Sequence, residues 1–294
     1  MSNLGAQPRT GVSWLRCIAR ASSVASIGLE RITRKWWFFL LFFFLFAIPS
    51  YSSRPIDPRE TTQLVTAVIP HALIYSYPAA LPLFKVMPIL LGIGIALWGD
   101  RVTRAFHAYA AATLLLMAVF QNMAVTERYG LAIITGNVVV YALVALCWAW
   151  EAIAKETNMG PRKRSWWRYW VVPLALLAFW FPVNTETIKP DWNPLLLLTS
   201  EAGVTLCMMV PVYLATLTLY YPRINRVTVR VMAFAGAITG ALNVYMWLIL
   251  NRETAWWMGV LHLPLLLISI YALILSLSKA KGAETVPQKV EERS

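Results

Sequence analysis

Trp256-Trp257-Met258-Gly259-Val260-Leu261-His262-Leu263-Pro264-Leu265-Leu266-Leu267-Ile268-Ser269-Ile270-Tyr271-Ala272-Leu273-Ile274-Leu275-Ser276-Leu277-Ser278 is the stretch that decides the fold class. It holds no Asp, Glu, Lys or Arg. It is long enough to cross the roughly 30 Å apolar layer of a bilayer as a helix, which takes about 20 residues. Its paired tryptophans sit where amphipathic rings prefer the headgroup level. Working outward, the same reading places spans at about 36–51, 81–99, 103–123, 130–151, 168–183, 200–221 and 230–250. Trp36-Trp37, Trp98, Trp166-Trp167 and Tyr220-Tyr221 mark their ends. The expected class is an all-α, polytopic transmembrane helix bundle of about eight spans.

Composition agrees. Of 294 residues, 59% are hydrophobic and 14% charged, against about 45–50% and 25% in soluble domains. The net charge of +12 would suggest nucleic acid in a soluble chain. In a membrane chain it follows from Lys and Arg collecting in cytoplasmic loops, so no nucleic-acid partner is expected. Cys17, Cys147 and Cys207 are too scattered for a disulfide or metal pattern.

Charge sets the expected orientation. With both termini inside, 20 of the 26 basic residues fall in inner segments, as the positive-inside bias requires. An even number of spans puts every basic loop on one side. The expected location is a prokaryotic plasma membrane, multi-pass, with both termini cytoplasmic. The first span lacks a small-x-small cleavage site and reads as an uncleaved signal anchor.

Four segments are expected. Residues 1–35 form a basic cytoplasmic tail with an interfacial amphipathic helix, in which Trp14, Ile18, Ala25, Leu29 and Ile32 recur at helical spacing. Its Arg16, Arg20, Arg34 and Lys35 are expected to meet anionic lipids of the bilayer. Residues 36–155 and 156–278 form two four-span halves, and 279–294 a disordered tail. The halves echo one another: Lys35-Trp36-Trp37 with Ser165-Trp166-Trp167, Met87-Pro88 with Val210-Pro211, and Arg101 and Arg104 with Arg223 and Arg226. Four spans per half would relate the repeats by an axis along the membrane normal. The longer outer loops, 52–80 and 184–199, occupy equivalent places and read as re-entrant or interfacial caps.

Polar residues inside a membrane are costly and mark sites. Lys85, Gln121, Asn122, Asn137, Glu201, Asn243 and His262 are expected on the outer side, with His71 in the first outer loop. They make a candidate ligand or pathway site toward the outer leaflet. Structural readings compete: Asn137 and Asn243 bridging helices, Glu201 capping a helix N-terminus, and Lys85 snorkelling to headgroups. His107 reads as interfacial. No local ligand spacing supports a metal or haem, so no cofactor is expected. No nucleotide, hydrolase or zincin motif occurs. Gly236-x-x-x-Gly240 matches a close-packing motif, and Pro88, Pro173, Pro211 and Pro264 could break helices.

Three functions remain open. One is a small transporter or membrane-embedded small-molecule binding protein, with Asn137, Glu201, Asn243 and His262 lining a cavity between the halves. Another is a structural subunit docking a membrane partner or a second copy, with those groups paired helix to helix. The third is an enzyme with His71 or His262 within reach of a carboxylate.

Overall fold

A computed structural model describes residues 26–161, 165–185 and 187–278. Trp14, Arg16, Cys17, Ile18, Arg20 and Ala25 of the expected interfacial helix, and the tail 279–294, lie outside these residues. The described chain opens in a helical segment, 26–32. It continues as α1 (Trp36–Phe46), α2 (Thr61–Val68), α3 (Leu81–Trp98), α4 (Thr103–Phe120), α5 (Thr135–Ala154), α6 (Val171–Trp180), α7 (Leu206–Leu219), α8 (Arg226–Val244) and α9 (Arg252–Leu277). A helix lies in each of the eight places where a span is predicted. Five helical stretches among the described residues are long and apolar enough to cross a membrane, and six if Leu196–Val204 and α7 count as one bent span. At about 1.5 Å per residue, α1 with 11 residues and α6 with 10 fall well short of an apolar layer about 30 Å thick.

Local chemistry sets several boundaries. Asn225 caps α8, its side-chain oxygen accepting from Val227 and Thr228 N–H. Gly99 ends α3 with φ of 54°, a conformation that costs glycine least. Beyond Val244 the helix loosens into a π turn, Tyr245–Leu250.

Two departures from the sequence reading matter. The ends of predicted spans three and four are not helical. Met123–Thr126 (β1) and Gly130–Ile133 (β2) form an antiparallel hairpin, and Tyr51–Ser52 pairs with the far side of β2. Loop 52–80 folds as α2 and short 3-10 turns against this sheet, with Ala72 bridged to Ala124. The second departure lies in predicted span six. The chain enters through a short helix (Leu196–Thr199) and a 3-10 turn (Glu201–Val204), then bends by 99° into α7. Thr205, the hinge, is extended at φ −112° and ψ 121°.

The core joins both halves. Trp148 of α5 packs on Phe106 and His107 of α4 and on Tyr213 of α7, with ring centroids 5.1–5.7 Å apart. His107 is therefore buried, not interfacial; its Nδ1 bonds the Thr103 carbonyl at 2.8 Å. Close approaches sit on small residues. A Cβ on Gly240 would lie 2.9 Å from Leu266 backbone, and one on Gly136 would lie 2.6 Å from the Phe46 carbonyl oxygen. The first joins α8 to α9; the second lays the end of α1 across the start of α5.

One end of the bundle is basic. Lys155 pairs with Asp100 at 3.0 Å, Asn158 N–H donates to the Arg223 carbonyl, and Arg226 donates to Ser278. Arg34 reaches the Leu277 carbonyl. The fully buried Arg230 fastens the N-terminal segment there. Its Nη1 donates to Glu30 Oε2 at 3.1 Å and to Thr33 Oγ1 at 2.6 Å. Its Nη2 donates to Glu30 Oε1 at 3.1 Å and to the Ser276 carbonyl at 2.7 Å. Nearby, buried Glu151 accepts from Thr157 N–H at 2.6 Å and from Asn225 Nδ2 at 2.7 Å.

Candidate functional site

At the opposite end, the break before α7 gathers polar groups from several elements. Glu201 stands in the 3-10 turn ahead of the hinge and is half-buried. No described side chain hydrogen-bonds or ion-pairs with its carboxylate. Tyr75, from the 3-10 turn Leu73–Ser76, lies beside Thr205 and within electrostatic range of Glu201 and Cys207. Burial first, and the Glu201 carboxylate second, push its phenol up to about 12, so it stays a neutral donor at physiological pH.

The cluster continues inward. Asn243 of α8 donates Nδ2 to its own Thr239 carbonyl at 2.9 Å, with Cys207 Sγ at 3.9 Å. Tyr141 of α5 shares a 2.6 Å hydrogen bond with Thr239 Oγ1 and lies within electrostatic range of Cys207. Tyr75 thus lies within electrostatic range of Glu201 and Cys207, and Cys207 in turn lies near Tyr141 and Asn243. The hinge is held by its neighbours. Gln121 Oε1 accepts from Leu206 N–H at 2.9 Å and so caps α7. Gly203 lies so close to Phe84 that a Cβ would meet its backbone at 2.9 Å. This packing seats the turn against α3.

The predicted site residues divide accordingly. Asn243 meets Cys207, and Glu201 is linked to this pair only through Tyr75, which lies within electrostatic range of both Glu201 and Cys207. Asn137 donates to Asn122 Oδ1 at 2.9 Å, and Asn122 in turn bonds the Met117 and Ala118 carbonyls, so this pair joins α4 to α5. Lys85 is fully buried and does not snorkel: Nζ donates to the Phe179 carbonyl and lies 4.1 Å from the Phe179 ring centroid. His262 is buried on the Met258 carbonyl of its own helix, and exposed His71 bonds the Ala67 carbonyl. Neither histidine hydrogen-bonds a described carboxylate. Of the predicted lipid contacts, Arg34 and Lys35 are exposed at the basic end. Among the described residues no group of three or more His, Cys, Asp or Glu is placed to hold a metal.

The sequence reading missed Tyr75, Tyr141, Thr205, Cys207 and Thr239. Tyrosine, threonine and cysteine are ordinary in apolar runs, and only the three-dimensional break shows that Tyr75 lies within range of Glu201 and that Thr205 donates to its carbonyl. Asn137, Glu201, Asn243 and His262 do not line the cavity of about 310 Å³ found in the structure, which lies between the N-terminal segment, α1, α5 and α8. No protein-family model matches this chain, no curated protein is similar to it, and no solved structure matches its fold.

Proposed function

We propose that this protein is a membrane-embedded binding protein for a small cationic solute, taken up from the outer side at the break before α7. One observation carries the reading: Glu201 is half-buried at a helix break with its carboxylate unmatched by any described donor. An uncompensated carboxylate in a partly desolvated place attracts a cation more strongly than one in water. Tyr75 and the groups behind it supply neutral polar contacts. Broken helices at membrane depth are a recurrent way of exposing such groups to a ligand.

In this reading the chain crosses the membrane eight times, with the basic end and both termini in the cytoplasm. Support comes from where the short helices lead. α1 starts beside Arg34 and Leu277 and runs to the sheet at the other end. α6 starts beside Arg168, which donates to the Tyr221 carbonyl, and leads to Pro182, whose carbonyl accepts from Trp257 Nε1. A parallel four-plus-four duplication fits the packing of α1 on α5 and of α6 on α9. A structural role is the second reading; the helix-to-helix Asn122–Asn137 pair favours it.

Thermal melting of the detergent-purified protein with ethylammonium, guanidinium and choline salts separates the two. A binding site predicts that at least one cation raises Tm, and that Glu201→Gln abolishes the rise while remaining folded. No rise with any cation, or an equal rise in Glu201→Gln, refutes it.

A further inference from the structure

The cavity of about 310 Å³ at the basic half of the bundle is independent of the Glu201 site. Its walls are Phe38, Phe42 and Leu45 of α1 with Leu143, Leu146 and Trp150 of α5. Leu41, Leu143 and Leu146 are more than a third exposed, so the groove opens sideways on the bundle. At one end it reaches Leu45, whose carbonyl oxygen lies 2.9 Å from where a Cβ on Gly136 would stand. Its other end reaches Thr33, Asn225 and Thr228, whose polar atoms are already bonded within the protein. Such a groove offers a ligand apolar contact and no free hydrogen bond.

We propose that this groove holds one acyl chain of an anionic phospholipid, with the headgroup at Arg31 and Lys35. The size suits a chain: at about 30 Å³ for a water-sized group, the volume takes roughly ten methylenes. The charge suits the headgroup. Glu30 is occupied by Arg230 and Arg34, which leaves Arg31 and Lys35 exposed on the same segment. Anionic headgroups favour such basic positions beside an apolar seat.

Photocrosslinking tests this in vesicles of phosphatidylcholine with phosphatidylglycerol. Three diazirine-acyl probes are compared: phosphatidylglycerol, phosphatidylcholine and free fatty acid. Mass spectrometry should find the phosphatidylglycerol probe enriched about tenfold at residues 38–45 and 143–150 over Leu90 and Ile274, which are exposed elsewhere on the bundle. Unlabelled phosphatidylglycerol should compete it away, and phosphatidylcholine should not. Leu146→Trp should remove the enrichment by filling the groove. Arg31→Gln with Lys35→Gln should remove the headgroup preference. Uniform labelling would mean ordinary boundary lipid and overturn the proposal. Equal enrichment with the phosphatidylcholine probe would overturn the anionic headgroup, and equal enrichment with the fatty-acid probe, itself an anion, would overturn the phospholipid.

Discussion

Replacing Arg230 by Met is the sharpest test of what holds the N-terminal segment. The substitution keeps the apolar stem and removes four donated hydrogen bonds, two to Glu30 and one each to Thr33 and Ser276. Hydrogen bonds between membrane helices average about 0.6 kcal/mol, whereas breaking a buried ion pair costs about 3–5 kcal/mol. Glu30 is 32% exposed and keeps Arg34 at 2.9 Å, so its carboxylate rehydrates. The expected loss is the lower end of that range, about 3 kcal/mol. Glu30→Gln leaves the Arg230 charge buried on neutral acceptors and should cost a similar amount. The double variant should fall short of the sum by at least about 1 kcal/mol, the signature of direct contact. Unfolding by sodium dodecyl sulfate in mixed micelles, followed by tryptophan fluorescence, reads all three. A loss below about 1 kcal/mol for Arg230→Met, or additive single variants, would refute the latch.

Gly136→Ala should destabilise by about 1–3 kcal/mol, because its Cβ would lie 2.6 Å from the Phe46 carbonyl oxygen; the same unfolding assay reads it. Tyr141→Phe and Thr239→Val should each cost about 1 kcal/mol, and the pair little more than either alone, since one 2.6 Å bond is lost in all three. Glu156, in the loop after α5, is shifted upward from 4.5, chiefly by burial, with Glu151 and Glu30 adding to it and Ser26 opposing. A raised carboxylate favours folding when protonated, so its contribution is full below its unfolded value and lost as pH rises through the folded one. Glu156 is exposed, so water screens much of this effect. Glu156→Gln should therefore stabilise the protein only slightly at pH 7 and be neutral near pH 4, measured as Tm across that range.

The helical places were legible because apolar runs ended on tryptophan pairs and arginines. Their interruptions were not. Met123–Thr126 and Gly130–Ile133 continue the apolar runs of α4 and α5, and a short apolar run carries no period that separates strand from helix. The hinge at Thr205 lies between Val204 and Leu206, with no proline at the break to mark it. Its cause is tertiary: Gly203 against Phe84 and Gln121 on Leu206. Glu201 and Asn243 stood out because charge and amide are rare at membrane depth. Lys85 stood out equally, yet the Phe179 carbonyl accounts for it. Polarity flags a position, and only its neighbours decide between a bond already made and one left for a ligand.

The strand pairing of Tyr51 with Ile133 also has a temporal side. Ser52 Oγ donates to the Tyr129 carbonyl 77 positions along the chain. At about 5–20 residues per second of synthesis, the first apolar helix waits roughly 4–15 s before its exit strand can find a partner. During that interval the backbone of Tyr51 and Ser52 is an open edge, and any chaperone or insertion factor serving this protein meets it in that state.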